Sequence, residues 1–296
     1  MKLQPASGHV VRVLVMAVLC GMVSACAPIF AYRHADWLVL WKLDHYFDLT
    51  KDQKVFVRGR LKDLLARHRY DALPVYERFL SDIKTKSSDG LTRQEIEWIF
   101  ATYAELRADL FTRIVTDSAS FLTSVNERQI HNLEQAFRED LEKRERLLKQ
   151  KADTRLTNRA GETLDRLKEW LGPLTSEQKQ RISQWSRSLP DMLGIRVEFQ
   201  KSRQQEILRL LRSTRDSHII SQRLEDWLVF PEESNPSHYQ RAMEEMKSAV
   251  MDMALAVDGL ITPQQRAHAL AKLQDLINDI HTLAASYCGP FLAITP

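Results

Sequence analysis

Glu127-Arg128-Gln129-Ile130-His131-Asn132-Leu133-Glu134-Gln135-Ala136-Phe137-Arg138-Glu139-Asp140-Leu141 opens the most regular stretch of the chain, residues 127–160. Ile130, Leu133, Phe137, Leu141, Leu148, Ala152 and Leu156 recur at helical intervals and so share one stripe of a 3.6-residue turn. Glu134/Arg138, Glu139/Lys143 and Glu142/Arg146 stand four apart in the acid-first order, each pair worth a few tenths of a kcal/mol on a solvated face. The pattern predicts a single helix longer than about 45 Å, with Gly161 as the place for a break.

The same period holds on both sides of this stretch. Residues 36–47, 51–69, a segment from Pro74 through Ile83, and one from Thr92 through Ile114 precede it. After it come 164–171, 176–189, 192–229, 237–258 and 263–285. Ser87-Ser88-Asp89-Gly90 and Pro231 to Pro236 read as linkers. No run alternates apolar and polar residues with β-branched enrichment, and Gly (9) and Pro (10) are too scarce for a turn-rich β-sandwich. The expected fold is all-α, an elongated multi-helix bundle or helical array of about eight to nine helices. Two subdomains dividing near 161–173 would suit Gly161 and Gly172-Pro173.

Residues 1–25 read as a targeting segment. Lys2 and Arg12 precede an uncharged run from Val13 to Ala25, too short to span a bilayer at roughly 20 apolar residues. The run ends on Val23-Ser24-Ala25-Cys26, which resembles the lipobox of bacterial lipoprotein precursors. That resemblance implies that Cys26 is diacylated through its sulfur, becomes the new N-terminus on cleavage, and is N-acylated with a fatty acid such as palmitate. Ala27 in place of Asp would then direct the protein to the outer membrane, facing the periplasm. The domain plan is a signal peptide over 1–25, a lipid-anchored tether over 26–35 and an all-helical periplasmic domain over 36–296. Loss of Lys2 and Arg12 leaves the mature chain within about one charge of neutrality, which removes the electrostatic case for nucleic acid. Of three cysteines only Cys288 then remains as a thiol, so neither an internal disulfide nor a cysteine metal knuckle is expected.

A five-residue start signal recurs: Leu49-Thr50-Lys51-Asp52-Gln53, Leu174-Thr175-Ser176-Glu177-Gln178, Ile261-Thr262-Pro263-Gln264-Gln265, and Leu91-Thr92-Arg93-Gln94-Glu95. Each is a capping box, in which the Thr hydroxyl accepts from the third helical N–H and Gln or Glu reaches back to the Thr N–H. The residue before each Thr occupies the staple position, but its usual partner slot holds Lys54, Lys179 or Arg266; Ile96 alone is apolar. These islands are similar to the Leu-Thr-x-x-Gln motif of the Spy and CpxP periplasmic chaperones, which would imply client binding by capped helices. A wider resemblance starts at Tyr32-Arg33-His34-Ala35-Asp36-Trp37-Leu38 and Trp41-Lys42-Leu43-Asp44-His45-Tyr46-Phe47-Asp48-Leu49-Thr50. Behind a lipobox, this resembles a proteobacterial lipoprotein family of unknown function, the DUF6279-like group, which carries no activity across.

Asp44, His45 and Asp48 form the best acid–histidine cluster, yet lack a second histidine or cysteine nearby. No nucleophile elbow, Walker loop, zinc-helix or dinucleotide fingerprint occurs. Glu233-Ser234 resembles the catalytic pair of lytic transglycosylases but falls in a Pro-flanked linker, where no dry pocket could raise a carboxyl pKa. No metal, cofactor or catalytic residue is therefore expected. Trp37, Trp41 and Tyr46 read either as core or as a client- or membrane-facing partner surface beside the anchor, and the exposure of Trp37 and Trp41 separates the two. The expected role is a lipid-anchored envelope protein that binds or scaffolds periplasmic proteins or envelope components. A chaperone-like binder and an unrecognised peptidoglycan- or lipid-directed hydrolase are the alternatives, and the oligomeric state stays open.

Overall fold

A computed structural model describes residues 32–285. Val23, Ser24, Ala25 and Cys26, and likewise Cys288, lie outside the described residues. Twelve helices and no strand occur among the described residues: α1 (Ala35–Phe47), α2 (Lys51–Asp71), α3 (Leu73–Lys86), α4 (Arg93–Thr123), α5 (Glu127–Leu148), α6 (Ala152–Leu171), α7 (Ser176–Ser188), α8 (Leu193–Ser213), α9 (Ser217–Leu228), α10 (Pro231–Ser234), α11 (Ser237–Asp258) and α12 (Pro263–Ala285). None of these helices is long and apolar enough to cross a membrane. The all-α class is as the periodicity indicates.

Three boundaries differ from the sequence reading. The stretch 127–160 is not one helix. It breaks at Lys149-Gln150-Lys151, where Arg155 donates to the carbonyls of Leu148 (3.4 Å) and Gln150 (2.6 Å) and pairs with Asp191 at 2.5 Å. Gly161 lies inside α6. The longest helix is instead α4, whose 31 residues extend about 46 Å. Residues 192–229 divide at Thr214, which is extended, and Asp216 restarts the chain as α9 by accepting from the N–H groups of His218 (2.8 Å) and Ile219 (3.4 Å). Pro231 to Pro236 contains the single turn α10 rather than bare linker. These extra breaks raise the helix number above eight or nine. Glu134, expected to serve its own helix, crosses to Arg212 on α8 at 2.6 Å.

Four apolar clusters hold the helices together. The first joins Phe47 and Leu49 to Val57 of α2, Phe121 and Val125 at the end of α4, Ile130 and Leu133 of α5, and Leu208 and Leu211 of α8. In the second, α3 (Leu73, Phe79, Leu80) packs on α12 (Leu273, Leu276, Ile277, Ile280, Leu283), with Tyr32 and Trp170 against it. A third lies around Leu171, Leu174, Ile182 and Val257, and a fourth around Phe111, Val115 and Val229. Three of the four take side chains from both sides of 161–173. The α3–α4 loop is tied to the end of α11: Leu91 N–H donates to Asp258 at 3.0 Å, and Gly90 at φ +126° lets the backbone pass close to that carboxylate.

All four expected capping boxes form, and the structure adds a fifth, with Asn126 as the cap and Gln129 reaching back. What the spacing did not reveal is that the glutamines pair. Gln53 and Gln129 exchange side-chain amide bonds of 3.1 and 2.7 Å, and Gln178 and Gln265 do the same at 2.7 and 3.0 Å. Each second amide hydrogen goes to a backbone carbonyl beside the partner helix: Gln53 to Ser124, Gln129 to Asp48, Gln178 to Leu260, Gln265 to Pro173. All four glutamines are buried. The staple residues follow the same logic. Leu49 and Val125 share one cluster, and Leu174 and Ile261 another, so the two staple residues of each pair enter a common core.

Replacing Gln129 by Ala removes both amide bonds to the buried Gln53, which keeps Ser124 and the Thr50 N–H, and should cost about 1–3 kcal/mol in urea unfolding. A Gln53→Ala/Gln129→Ala double variant should lose clearly less than the two singles added together. Glu95→Gln, at a fully exposed box, should stay within about 0.5 kcal/mol of the wild type.

Candidate functional site

Helix α1 presents two faces because it carries two apolar stripes. Leu40, Leu43, Tyr46 and Phe47 turn onto the first core cluster. Trp37 and Trp41, four residues apart and hence nearly aligned on the outer side, are 61% and 55% exposed. Their rings stack at 6.4 Å with 16° between planes, and His45 continues the row at 6.5 Å from Trp41. Leu38 is also exposed beside them. Two indoles left in water on an ordered helix forgo burial worth on the order of 2 kcal/mol each.

Tyr46 does not belong to that outer row. It is half-buried, its ring meets Phe137 edge-on at 6.0 Å, and its hydroxyl donates to Asp140 at 2.6 Å. Burial first, then the bond to Asp140 and that carboxylate's charge, push the Tyr46 hydroxyl well above the usual tyrosine range. The Lys42 ammonium sits over the same ring at 4.6 Å. The surface expected from Trp37, Trp41 and Tyr46 thus separates into an exposed indole pair and a tyrosine that fastens α1 to α5.

The ends of α1 are fastened as well. At its far end Asp48 takes a left-handed conformation (φ +49°), its carbonyl accepts from Gln129, and its carboxylate pairs with Arg128 at 2.9 Å. Asp44 accepts from Leu49 N–H and pairs with Lys54, both at 2.9 Å. Both acids of the candidate Asp44–His45–Asp48 cluster are therefore engaged in ending α1 and starting α2. Among the described residues no group of three acids, histidines or cysteines could hold a metal ion.

Just before α1, Tyr32 reaches into the second core. Its hydroxyl lies 3.1 Å from His68 Nδ1 and 3.4 Å from the Leu65 carbonyl, while His68 Nε2 lies 3.3 Å from the Tyr76 hydroxyl. Burial, reinforced by Arg113 and offset in part by Asp109, holds His68 down to about 4, so its imidazole is neutral at pH 7. One ring nitrogen then donates to one tyrosine oxygen while the other nitrogen accepts. The same burial raises the Tyr76 hydroxyl to about 12. Nothing in the spacing singles out His68; the pair Tyr32 and His68 is 36 residues apart and meets through tertiary packing alone.

Two open clefts lie elsewhere. One follows the exposed side of α9 past Gln222, Arg223, Glu225 and Asp226. The other, about 410 Å³, lies between the starts of α7 and α12, where His268 is the ionisable side chain among Gly172, Pro173, Thr175, Thr262 and Gln265. Glu233 and Ser234 sit in α10, away from both linings.

The fold and this geometry define a class: an all-α protein that displays an exposed indole pair on a first helix fastened to its body at three points. The chain belongs to the family of unknown function DUF6279, which matches residues 45–240, two-thirds of its length. No curated protein and no solved structure matches it. Trp37 and Trp41 lie just upstream of the matched region, which contains Gln53, Gln129 and Gln178.

Because folding holds His68 neutral, the unfolded chain binds its proton more readily, between the ordinary histidine value near 6.5 and about 4. Its contribution to stability should be complete above pH 6.5 and drain as pH falls towards 4, by on the order of 3 kcal/mol. Denaturation midpoints measured at pH 7 and pH 4 check this. A His68→Phe variant should show a smaller difference between the two.

Proposed function

We propose that this protein is a lipid-anchored component of the cell envelope whose role is non-catalytic: it offers the outer face of α1 to an envelope component. The observation that carries the reading is the stacked, solvent-facing pair Trp37 and Trp41 on a helix whose other face packs on the first core cluster. Exposed aromatic pairs of this kind are contact surfaces more often than ornament, since water wets them at a cost. The pair begins eleven residues after Cys26, the candidate acylation site behind a signal peptide over 1–25. In this reading the lipid sits in the outer membrane and the helical body faces the periplasm. Anchoring by several acyl chains at about 0.8 kcal/mol per buried methylene requires no spanning helix.

The chaperone-like alternative finds less support. The Thr and Gln of the repeated islands are consumed by caps and by buried amide pairs, so they present nothing to a client. For a hydrolase, the cleft between α7 and α12 supplies His268 without a carboxylate in its lining, and the α9 cleft holds Glu225 and Asp226 on an open helix side where Glu225 is exposed.

Cys26→Ser should abolish palmitate labelling and move the protein from the membrane to the soluble fraction. A photoreactive residue at position 41 in intact cells should capture an envelope component, and empty capture would count against the contact role. Trp37→Ala should diminish capture from position 41, and Trp37→Ala and Trp41→Ala should each change unfolding stability by under about 1 kcal/mol.

A further inference from the structure

The contact face can be assigned an occupant from the short length of chain that separates it from Cys26. Tyr32 is the first described residue and is pinned by His68 and Leu65. From Cys26 to Tyr32 the backbone reaches at most about 22 Å, so anything bonded to the Cys26 sulfur stays within that distance of the pinned tyrosine. Trp37 follows only five residues later, on the first turn of α1. Tyr32 and the last turn of α12 (Leu283 and Ala284) pack on one apolar cluster. After α12 in the sequence, residues 286–296 (Ser-Tyr-Cys-Gly-Pro-Phe-Leu-Ala-Ile-Thr-Pro) contain no charged side chain. The candidate acyl site and the exposed indole pair are thus close neighbours along the chain, with the pinned Tyr32 between them.

We propose that the contact face meets lipid: Trp37 and Trp41 rest in the headgroup layer of the bilayer that holds the Cys26 acyl chains. The proposal rests on the anchor reading above and names the envelope component as phospholipid. Indoles favour that layer because an apolar ring and a polar N–H are both satisfied there. The charges next to the pair fit a contact driven by partitioning. Asp44 and Asp48 pair with Lys54 and Arg128, and Asp36 beside Trp37 is preceded by the exposed Arg33, so acids and bases are near balance around the pair and no basic cluster draws it to anionic lipid. The contact holds the body in one orientation, which a lipid on a free tether alone would leave undefined.

The test uses the full-length acylated protein in phosphatidylethanolamine/phosphatidylglycerol vesicles, with and without brominated acyl chains. Brominated lipid should remove about a third of the tryptophan emission, the share of two indoles in six. A Trp37→Ala/Trp41→Ala variant should still float with the vesicles but lose that quenching, and raising salt to 0.5 M should leave the wild-type quenching in place. Flotation with equal quenching of both proteins overturns the lipid contact and leaves the anchor standing. A protein that takes no palmitate at Cys26 and does not float overturns both. Crosslinking from position 37 to residues 286–296, to a second copy or to another polypeptide instead of lipid also overturns the proposal.

Discussion

A pair of glutamine amides closed on each other is the constraint that organises this bundle. A helix start leaves its first N–H groups without partners, and a capping box satisfies two of them. Here the residue that closes the box is then committed again: Gln53 and Gln129 each complete their own helix cap and bond the other amide in a buried site. A side-chain amide has two donors and one carbonyl with two lone pairs. Within each pair every one of them is matched, by the cap N–H, by the partner amide and by a carbonyl beside the partner helix. Such full satisfaction removes the desolvation cost that makes isolated buried amides expensive, and it fixes the two helix starts in one register. The arrangement occurs twice, at the starts of α2 and α5 and again at α7 and α12. Glu95 shows why the residue must be amide: its box is exposed, and a carboxylate there can cap but could not exchange bonds with a second acceptor.

The position of the indole face follows from that lock. Gln129 donates to the carbonyl of Asp48, the left-handed residue that stops α1, while Arg128 beside it holds the Asp48 carboxylate. Tyr46 ties the same helix to Asp140 nearly three turns along α5. At the opposite end Tyr32 enters the α2–α3 layer through His68. These three attachments leave α1 little freedom to roll. A helix free to rotate would turn Trp37 and Trp41 inward, because burying them is favourable; a fastened one keeps them in water. The exposure is therefore a consequence of structure paid for elsewhere in the bundle.

The parts of this that could be read in the sequence are those that depend on local spacing. Thr50-x-x-Gln53 and its relatives announce helix starts, and the period of Ile130, Leu133 and Phe137 announces the buried face of α5. Asn126-x-x-Gln129 carried the same signal with Asn in place of Thr and could have been found by the same rule. Asp216 likewise marks the restart after Thr214. The break at Lys149-Gln150-Lys151 has no such mark, because all three residues favour helix and the decision lies with Arg155, whose guanidinium takes the freed carbonyls. Gly161, the conspicuous candidate, adds only a modest propensity cost that the packing of α6 on α7 overrides. Gln53 and Gln129 are 76 residues apart, so their pairing is a property of the folded chain alone.

The candidate site shows the same division most sharply. Trp37, Trp41 and Tyr46 were recognisable as one apolar series, and helical spacing puts them on α1. Spacing could not say which of two apolar stripes the bundle covers. Leu40, Leu43 and Phe47 win the inner position because they meet Phe121, Val125 and Leu133, and Tyr46 follows them inward because Asp140 offers its hydroxyl a partner. Trp37 and Trp41 stay outside, and a ring that must keep one polar atom satisfied is held most cheaply where polar and apolar surroundings meet. Tyrosine thus takes the inside with the Leu40, Leu43 and Phe47 stripe, where one buried carboxylate on a neighbouring helix satisfies its hydroxyl, and tryptophan takes the outside.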